Sequence, residues 1–487
     1  MTPSSPSSWP ARRWWTLAVL SLTQLMVVLD ATVINIALPR AQRDLKFSAG
    51  DRQWLVTAYA LAFGSLLLLG GRLSDRWGRR PTMLIGLLGF AGASVLGGDA
   101  HSFRALVTAR ALQGVFAALV APAALAILTT IFRDPRERAR SFSLFGAVSG
   151  SGFAVGLILG GALTQWSSWR WCLYVNVVIC VVAAVGILAF VDSSRGEPRT
   201  RVDIVGTIIA SAGLFFIVYG FGHAVLVGWA NESTWGSLVA GVVLLSLFVR
   251  EQRSSPHPLV PLRLLLQRTR GGSQLALFVT SLGIFSLPLF LAYYLQNTLG
   301  YSPLRTGVYF LPLVGALAFS TTMASARLLA KVGPRPLVPV GLILVMLGVI
   351  LFTKLTPQAD YLGTVLPGLV VTGLGLGLIL APATASATAG IDRGDAGAAA
   401  ALVNTSQQVG ASVGTALLNT IAITVKTRYL AAPHAANELT VNTAGTLHGY
   451  AVAFSWAAGF FGAGAVASFF LLESGVPEYE GDLVPML

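Results

Sequence analysis

Apolar runs long enough to cross a lipid bilayer recur along this whole chain, and that recurrence limits its fold more than any other feature. A spanning helix needs about 20 mainly apolar residues, because hydrocarbon offers no water to satisfy an open backbone. Runs of that kind fall at approximately 14–38, 53–71, 81–98, 104–132, 140–166, 171–191, 204–225, 234–249, 272–297, 306–330, 336–354, 361–390, 396–426 and 447–472. They predict an all-α membrane protein of about 14 transmembrane helices. Of the 487 residues, 54% are hydrophobic and only 11% charged, and the charges crowd into the short breaks between runs. A soluble domain is thereby excluded.

The first run follows a Pro/Ser-rich tail and the pair Arg12 and Arg13. At about 25 residues it exceeds a signal-peptide core and reads as a retained helix. Pro122, Pro288, Pro312, Pro367 and Pro382 lie inside long runs and mark expected kinks. The formal net charge of +13 does not point to nucleic acid, because Lys and Arg sit in the breaks, where they set orientation. An even number of spans puts both termini on one side. That side carries 22 of the 33 Lys and Arg residues against 10 opposite, which predicts cytoplasmic termini and a multi-pass protein of the cytoplasmic membrane. The acidic tail, with Glu473, Glu478, Glu480 and Asp482, does not oppose this, since carboxylates weigh little in topology. Cys172 and Cys180 lie in or beside one apolar run and read as packing residues, and the five dispersed histidines form no metal-ligand spacing. No metal or cofactor is expected, and no nucleophile or paired-carboxylate constellation points to an enzyme.

An internal repeat divides the chain. Gly71-Arg-Leu-Ser-Asp-Arg-Trp-Gly-Arg-Arg-Pro81 follows the second run, and Ala326-Arg-Leu-Leu-Ala-Lys-Val-Gly-Pro-Arg-Pro336 follows the tenth. They agree at Arg72/Arg327, Leu73/Leu328, Gly78/Gly333, Arg80/Arg335 and Pro81/Pro336. Helices 1–6 and 9–14 are then equivalent six-helix bundles, helices 7 and 8 are an inserted pair, and parallel repeats of this kind bind substrate near the midplane between halves. The expected parts are a cytoplasmic tail (1–13), a first bundle (14–191), loops with the inserted pair (192–271), a second bundle (272–472) and an acidic tail (473–487).

Within the spans, Asp30 is the single acid well inside a run, and Arg110 the single base. A carboxylate at bilayer depth costs about 2.5–3.5 kcal/mol even on lenient insertion scales, so it faces a protein cavity and marks a proton, ion or substrate path. Asp30 lies nine residues before Pro39, and Arg110 seven after Phe103. At the α-helical rise these are roughly 13 and 10 Å below the same surface, on antiparallel helices of one bundle. A salt bridge or shared polar cavity is expected. It is either a static pair holding the fold or a coupling site, since a carboxylate that trades desolvation against a nearby guanidinium is suited to take up and release a proton.

Four motifs together carry a family resemblance. Leu29-Asp30-Ala-Thr-Val-Ile-Asn35-Ile-Ala-Leu-Pro39 is similar to the first-helix signature of the fourteen-helix drug:proton antiporters of the major facilitator superfamily. The segment Gly71, Asp75, Arg76, Gly78, Arg79 and Arg80 resembles the superfamily's gating motif. Arg110-Ala-Leu-Gln113-Gly114 resembles the fourth-helix motif implicated in proton coupling, and Gly152, Gly156, Gly160 and Gly161 resemble the fifth-helix antiporter motif. That last motif departs from the family at Leu157, where the pattern has proline, and leucine permits a straighter helix. Trp169-Arg-Trp171 followed by Asn176 also fits the family.

The resemblance implies a major facilitator fold and a secondary transporter that exports small amphiphilic drugs or antibiotics in exchange for protons by alternating access, working as a monomer among membrane lipids. The residues allow other readings: a proton-coupled transporter of a nutrient, siderophore or lipid, or a non-transporting receptor or assembly partner. Glycines in the gating segment permit a tight turn, and its arginines can hold carboxylates or lipid phosphate. The face Gly152, Gly156, Gly160 allows close helix packing, a sliding surface, or both. Tyr59, Gln113, Tyr294, Asn297, Phe310, Asn404 and Gln408 are the candidate substrate-binding residues, offering aromatic surface and neutral hydrogen bonding. Tyr293 and Tyr294 are adjacent and cannot both point inward. The later helices hold no interior acid, which directs the expected cargo towards neutral, weakly charged or zwitterionic lipophilic compounds.

Overall fold

A computed structural model describes residues 9–132, 135–192, 203–255, 258, 266–324, 328–389, 396–433 and 437–475. The described residues form helices and no strand. Thirteen helices are long and apolar enough to span a bilayer, and a bent pair makes a fourteenth. In chain order these are α1 (Trp9–Leu45), α2 (Trp54–Trp77), α3 (Arg79–Gly98), α4 (Phe103–Ile131), α5 (Pro135–Trp166), α6 (Trp171–Phe190), α7 (Ile204–Val227) and α8 (Glu232–Ser254). They continue as α9 (Arg268–Thr298), α10 (Pro303–Met323), α11 (Pro334–Lys354), α12 (Tyr361–Thr388), α13 (Ala396–Ala431) and α14 (Glu438–Leu471). The bent pair is α2, whose halves meet at 53°.

Helices α1–α6 pack as one bundle and α9–α14 as another, with the bundles meeting where α2 lies against α13, α5 against α10, and α1 against α9. The inserted pair packs α7 on α8 and lays α7 over the α2–α13 seam, where Thr420 donates to the Phe221 carbonyl at 2.7 Å. The face at which α1 begins is called the near face below, and the one at which it ends the far face. Lipid-facing stripes carry the exposed apolar surface, as in Val178, Val181, Val182, Val185 and Leu188 of α6.

Three of the expected proline kinks coincide with breaks. Pro288 follows the interruption of α9 at Phe285, Pro312 follows that of α10 at Phe310, and Pro367 opens the α-helical part of α12 after a π-turn. Pro122 and Pro382 lie inside continuous helix. The first helix also runs six residues past Pro39, through Arg40 to Leu45, because a polar helix can continue once it leaves the hydrocarbon.

The segment expected as a loop after the second helix is instead helical to Trp77, and the chain turns at the single residue Gly78. Its φ of 98° is one that side-chain-bearing residues avoid. Gly333, its counterpart in the repeat, has a φ of 71° and likewise opens the third helix of its bundle. The repeat is therefore a repeated backbone break. Arg327, His257, His434, Glu478, Glu480 and Asp482 lie outside the described residues.

Candidate functional site

Asp30 and Arg110 meet inside the first bundle. Arg110 Nη1 stands 2.6 Å from Asp30 Oδ2, with 1% of Arg110 and 2% of Asp30 exposed. The other carboxylate oxygen, Oδ1, accepts from Asn176 Nδ2 at 2.7 Å and from Gln113 Nε2 at 3.0 Å. Arg110 has further holds: Nε donates to the Leu55 carbonyl at 3.0 Å, Nη1 to Gln113 Oε1 at 2.7 Å, and Cζ lies 4.6 Å from the centre of the Tyr59 ring. Gln113 Nε2 also donates to Ser94 Oγ at 2.8 Å. Five helices thus converge on one carboxylate: α1 (Asp30), α2 (Leu55, Tyr59), α3 (Ser94), α4 (Arg110, Gln113) and α6 (Asn176). Charge-assisted bonds at this depth are strong, and each is costly to leave unmade.

Tyr59 and Gln113, substrate-binding candidates by residue type, both lie on the Asp30–Arg110 pair. Ser94 and the Leu55 carbonyl were not foreseen. Asn176 had appeared only as part of a pattern, although a lone amide in an otherwise apolar run was the available signal.

The glycine face of α5 lies on α1. A Cβ on Gly156 would stand 1.9 Å from Thr32 Oγ1, one on Gly152 3.1 Å from Val28, and one on Gly160 3.1 Å from Val33. Gly161 faces the other bundle, where a Cβ would stand 2.7 Å from the Leu304 backbone of α10. Leu157 is buried, with its carbonyl against Gly307 of α10, in a helix without an internal proline.

At the near face, Arg79 Nη1 donates to the Ala126 carbonyl of α4 at 3.0 Å and Arg80 Nη2 to the Leu188 carbonyl of α6 at 2.8 Å. A Cβ added at Gly71 would meet Pro122 at ordinary contact distance, whereas one at its neighbour Gly70 would collide with the Ala118 carbonyl of α4. Asp75 and Arg76 are exposed.

The remaining candidates are scattered. Tyr294 is buried and donates to the Thr356 carbonyl at 2.7 Å; Phe310 is buried in the second bundle's core; Asn297 is exposed at the far end of α9. Asn404 and Gln408 are partly buried on α13, and Gln408 packs on Gly64 of α2, at the seam between bundles.

A second buried cation, Arg52, precedes α2 at the far face and is only 4% exposed. It reaches into the other bundle, donating from Nε to Asn419 Oδ1 at 2.9 Å and from Nη1 to Tyr450 Oη at 3.1 Å. Nearby, Gln296 donates to the Ile36 carbonyl at 3.0 Å and Tyr293 to Gln42 Oε1, so the bundles are tied together at the far face. The Leu55 peptide joins the two arginines: its carbonyl accepts from Arg110 and its amide donates to the Arg52 carbonyl at 3.3 Å.

Comparison with known proteins agrees with this architecture. Residues 20–415 match the model of the Major Facilitator Superfamily. The chain is 46% identical to a puromycin resistance protein of Streptomyces alboniger over 95% of its own length and 92% of that protein's. It is 36% identical to a cephamycin export protein of Amycolatopsis lactamdurans, covering 83% of this chain and 84% of the relative. Its fold is similar to that of a bacterial homologue of the human lysosomal transporter Spinster, with a TM-score of 0.67 at 16% identity over 96% of this chain and 97% of the other. With its two six-helix bundles and the family match over most of its length, the chain belongs to the Major Facilitator Superfamily.

Proposed function

We propose that this protein exports small amphiphilic compounds of the antibiotic class across the cytoplasmic membrane in exchange for protons, with both termini cytoplasmic and the far face outside. The relatives' roles in puromycin resistance and cephamycin export support the cargo class. The observation that carries proton coupling is the manner in which the buried Asp30 is held: its ionic partner Arg110 is also seated on three neutral groups, Leu55, Gln113 and Tyr59.

A proton arriving on Oδ2 converts the carboxylate into a neutral acid and removes its attraction for Nη1. Arg110 then keeps its neutral partners, so the charge stays seated while α1 is loosened from α4. Because α5 lies on α1 through its glycine face and touches α10 through Gly161 and Leu157, a shift of α1 reaches the seam between bundles. Only a group whose protonation states bind the two conformations differently can drive such a change. Asp30, desolvated on one side of the exchange and ion-paired on the other, meets that condition.

The test is transport in everted membrane vesicles from a pump-deficient host, with puromycin, a cephamycin and a lipophilic dication as cargo. The wild-type protein is expected to accumulate at least one of the first two when the vesicle lumen is acidic, and Asp30→Asn at matched expression to accumulate none. Undiminished gradient-driven accumulation by Asp30→Asn would remove Asp30 from the mechanism, and preference for the dication would overturn the cargo class.

A further inference from the structure

The surroundings of Arg52 are unusual for a buried charge. Its guanidinium carbon lies 4.5 Å from the ring centre of Tyr293, 5.6 Å from that of Tyr450 and 5.7 Å from that of Phe290. These rings are 5%, 3% and 0% exposed. Among the described residues its hydrogen-bond partners across the seam are neutral, Asn419 and Tyr450, and the ion pairs lie elsewhere. Two further cations bear on the same region, Arg43 on Tyr293 and Lys426 on Arg52, while the neighbouring Asp51 is bonded to Ser48. Three aromatic rings, the Tyr450 hydroxyl and an amide oxygen therefore take the place of a carboxylate. Guanidinium is suited to this, being weakly hydrated and planar, and cation–π attraction strengthens as water is excluded.

Ownership of the parts matters more than their chemistry. Phe290 and Tyr293 belong to α9, Tyr450 to α14 and Asn419 to α13, all in the second bundle. The box is held together there without Arg52: Phe290 stacks on Tyr450 at 4.9 Å and meets Phe454 edge-on at 5.7 Å. Arg52 comes from the first bundle, which also supplies Gln53, whose Oε1 accepts from Asn419 at 3.1 Å. If the contact served only to pack the seam, an apolar side chain would do so without the desolvation cost of a charge.

We propose that the second bundle carries a cation-binding aromatic box, formed by Phe290, Tyr293, Tyr450 and Asn419. Arg52 occupies it as an internal ligand while the far face is closed, and organic cations of the guanidinium or alkylammonium class occupy it when the bundles part. The inference rests on the alternating-access reading above for the second state, and on geometry alone for the first. A bundle without interior acids thus still offers a site for a positive charge, one in competition with the arginine that closes the mouth.

The test uses the purified full-length protein and three small probes: ethylguanidinium, ethylammonium, and the neutral isostere ethylurea. Arg52→Ala empties the box, so ethylguanidinium is expected to raise its thermal-unfolding midpoint saturably. Ethylurea should not, and Arg52→Ala/Tyr293→Leu should not respond. If Arg52→Ala does not purify folded, Arg52→Gln, which keeps hydrogen bonding and removes the charge, takes its place. In protein that keeps Arg52, spin labels at Arg104→Cys and Thr440→Cys report the separation of the far ends. Both cations are expected to shift that distribution to longer distances, and ethylurea to leave it unchanged. An equal response to ethylurea, a response indifferent to Tyr293, or none in the arginine variants would overturn the box; an unchanged distance distribution would overturn its exchange with external cations. Neither arm uses a proton gradient or an exported compound, so loss of the Asp30 mechanism would leave both results readable.

Discussion

Arg110 and Arg52 are both almost sealed from solvent, one 1% and the other 4% exposed, yet they are stabilised in opposite ways. Arg110 is held by groups of its own bundle, with a carboxylate at 2.6 Å, two neutral hydrogen-bond partners and one ring. Arg52 crosses to the other bundle and is held by ring faces, an amide and a phenol. A charge inside a rigid bundle can keep a permanent counterion. A charge that bridges two bodies in relative motion must be released in each cycle, and a carboxylate left behind in the opened seam would need a new partner. The Leu55 peptide, bonded to both arginines, gives the two sites a common element in the first turn of α2.

The comparison can be broken by making the same substitution at both positions. Arg110→Met strands Asp30 without its cation and should destabilise the protein by about 3–5 kcal/mol, since removing one partner of a buried pair leaves an uncompensated charge. Arg52→Met strands no carboxylate, only the neutral Asn419 and Tyr450, and should cost less, about 1–3 kcal/mol for the buried partners left unpaired. Equal loss of stability in the two variants, measured by thermal unfolding in detergent, would mean that the two arginines do not differ in kind. A smaller effect sharpens the contrast: Tyr450→Phe removes one hydrogen bond but keeps the ring, and should cost about 0.5–1.5 kcal/mol. It should preserve the response of the Arg52→Ala background to ethylguanidinium, which Tyr293→Leu abolishes.

The two arginines also differ in how far the sequence revealed them. Arg110 and Asp30 stand out because lipid penalises them, and helix rise alone places them at one depth. Arg52 sits in Asp51-Arg52-Gln53, a stretch that reads as an ordinary polar break, and only the tertiary arrangement buries it beneath three rings. Asn176 and Ser94 were faint for another reason, since neutral polar side chains cost little in a spanning helix, and the Leu55 carbonyl has no sequence signature at all. Helix number was legible from hydropathy, but helix ends were not: the gating segment loses its apolar character after Gly71, while its backbone remains helical to Trp77 and turns only at Gly78. Residue type marks candidate substrate residues but does not reveal which side of a helix faces the seam; Tyr294 and Phe310 are packed within the second bundle.

The central claim, that Asp30 exchanges its proton as cargo binds, is tested most directly by proton release from the purified protein. In weakly buffered solution with a pH indicator, the compound that the vesicle assay identifies is added to wild-type and Asp30→Asn protein of equal folded fraction. Cargo binding is expected to release protons from the wild-type protein and none from Asp30→Asn, which still binds the compound. Equal proton release from both proteins would contradict that claim.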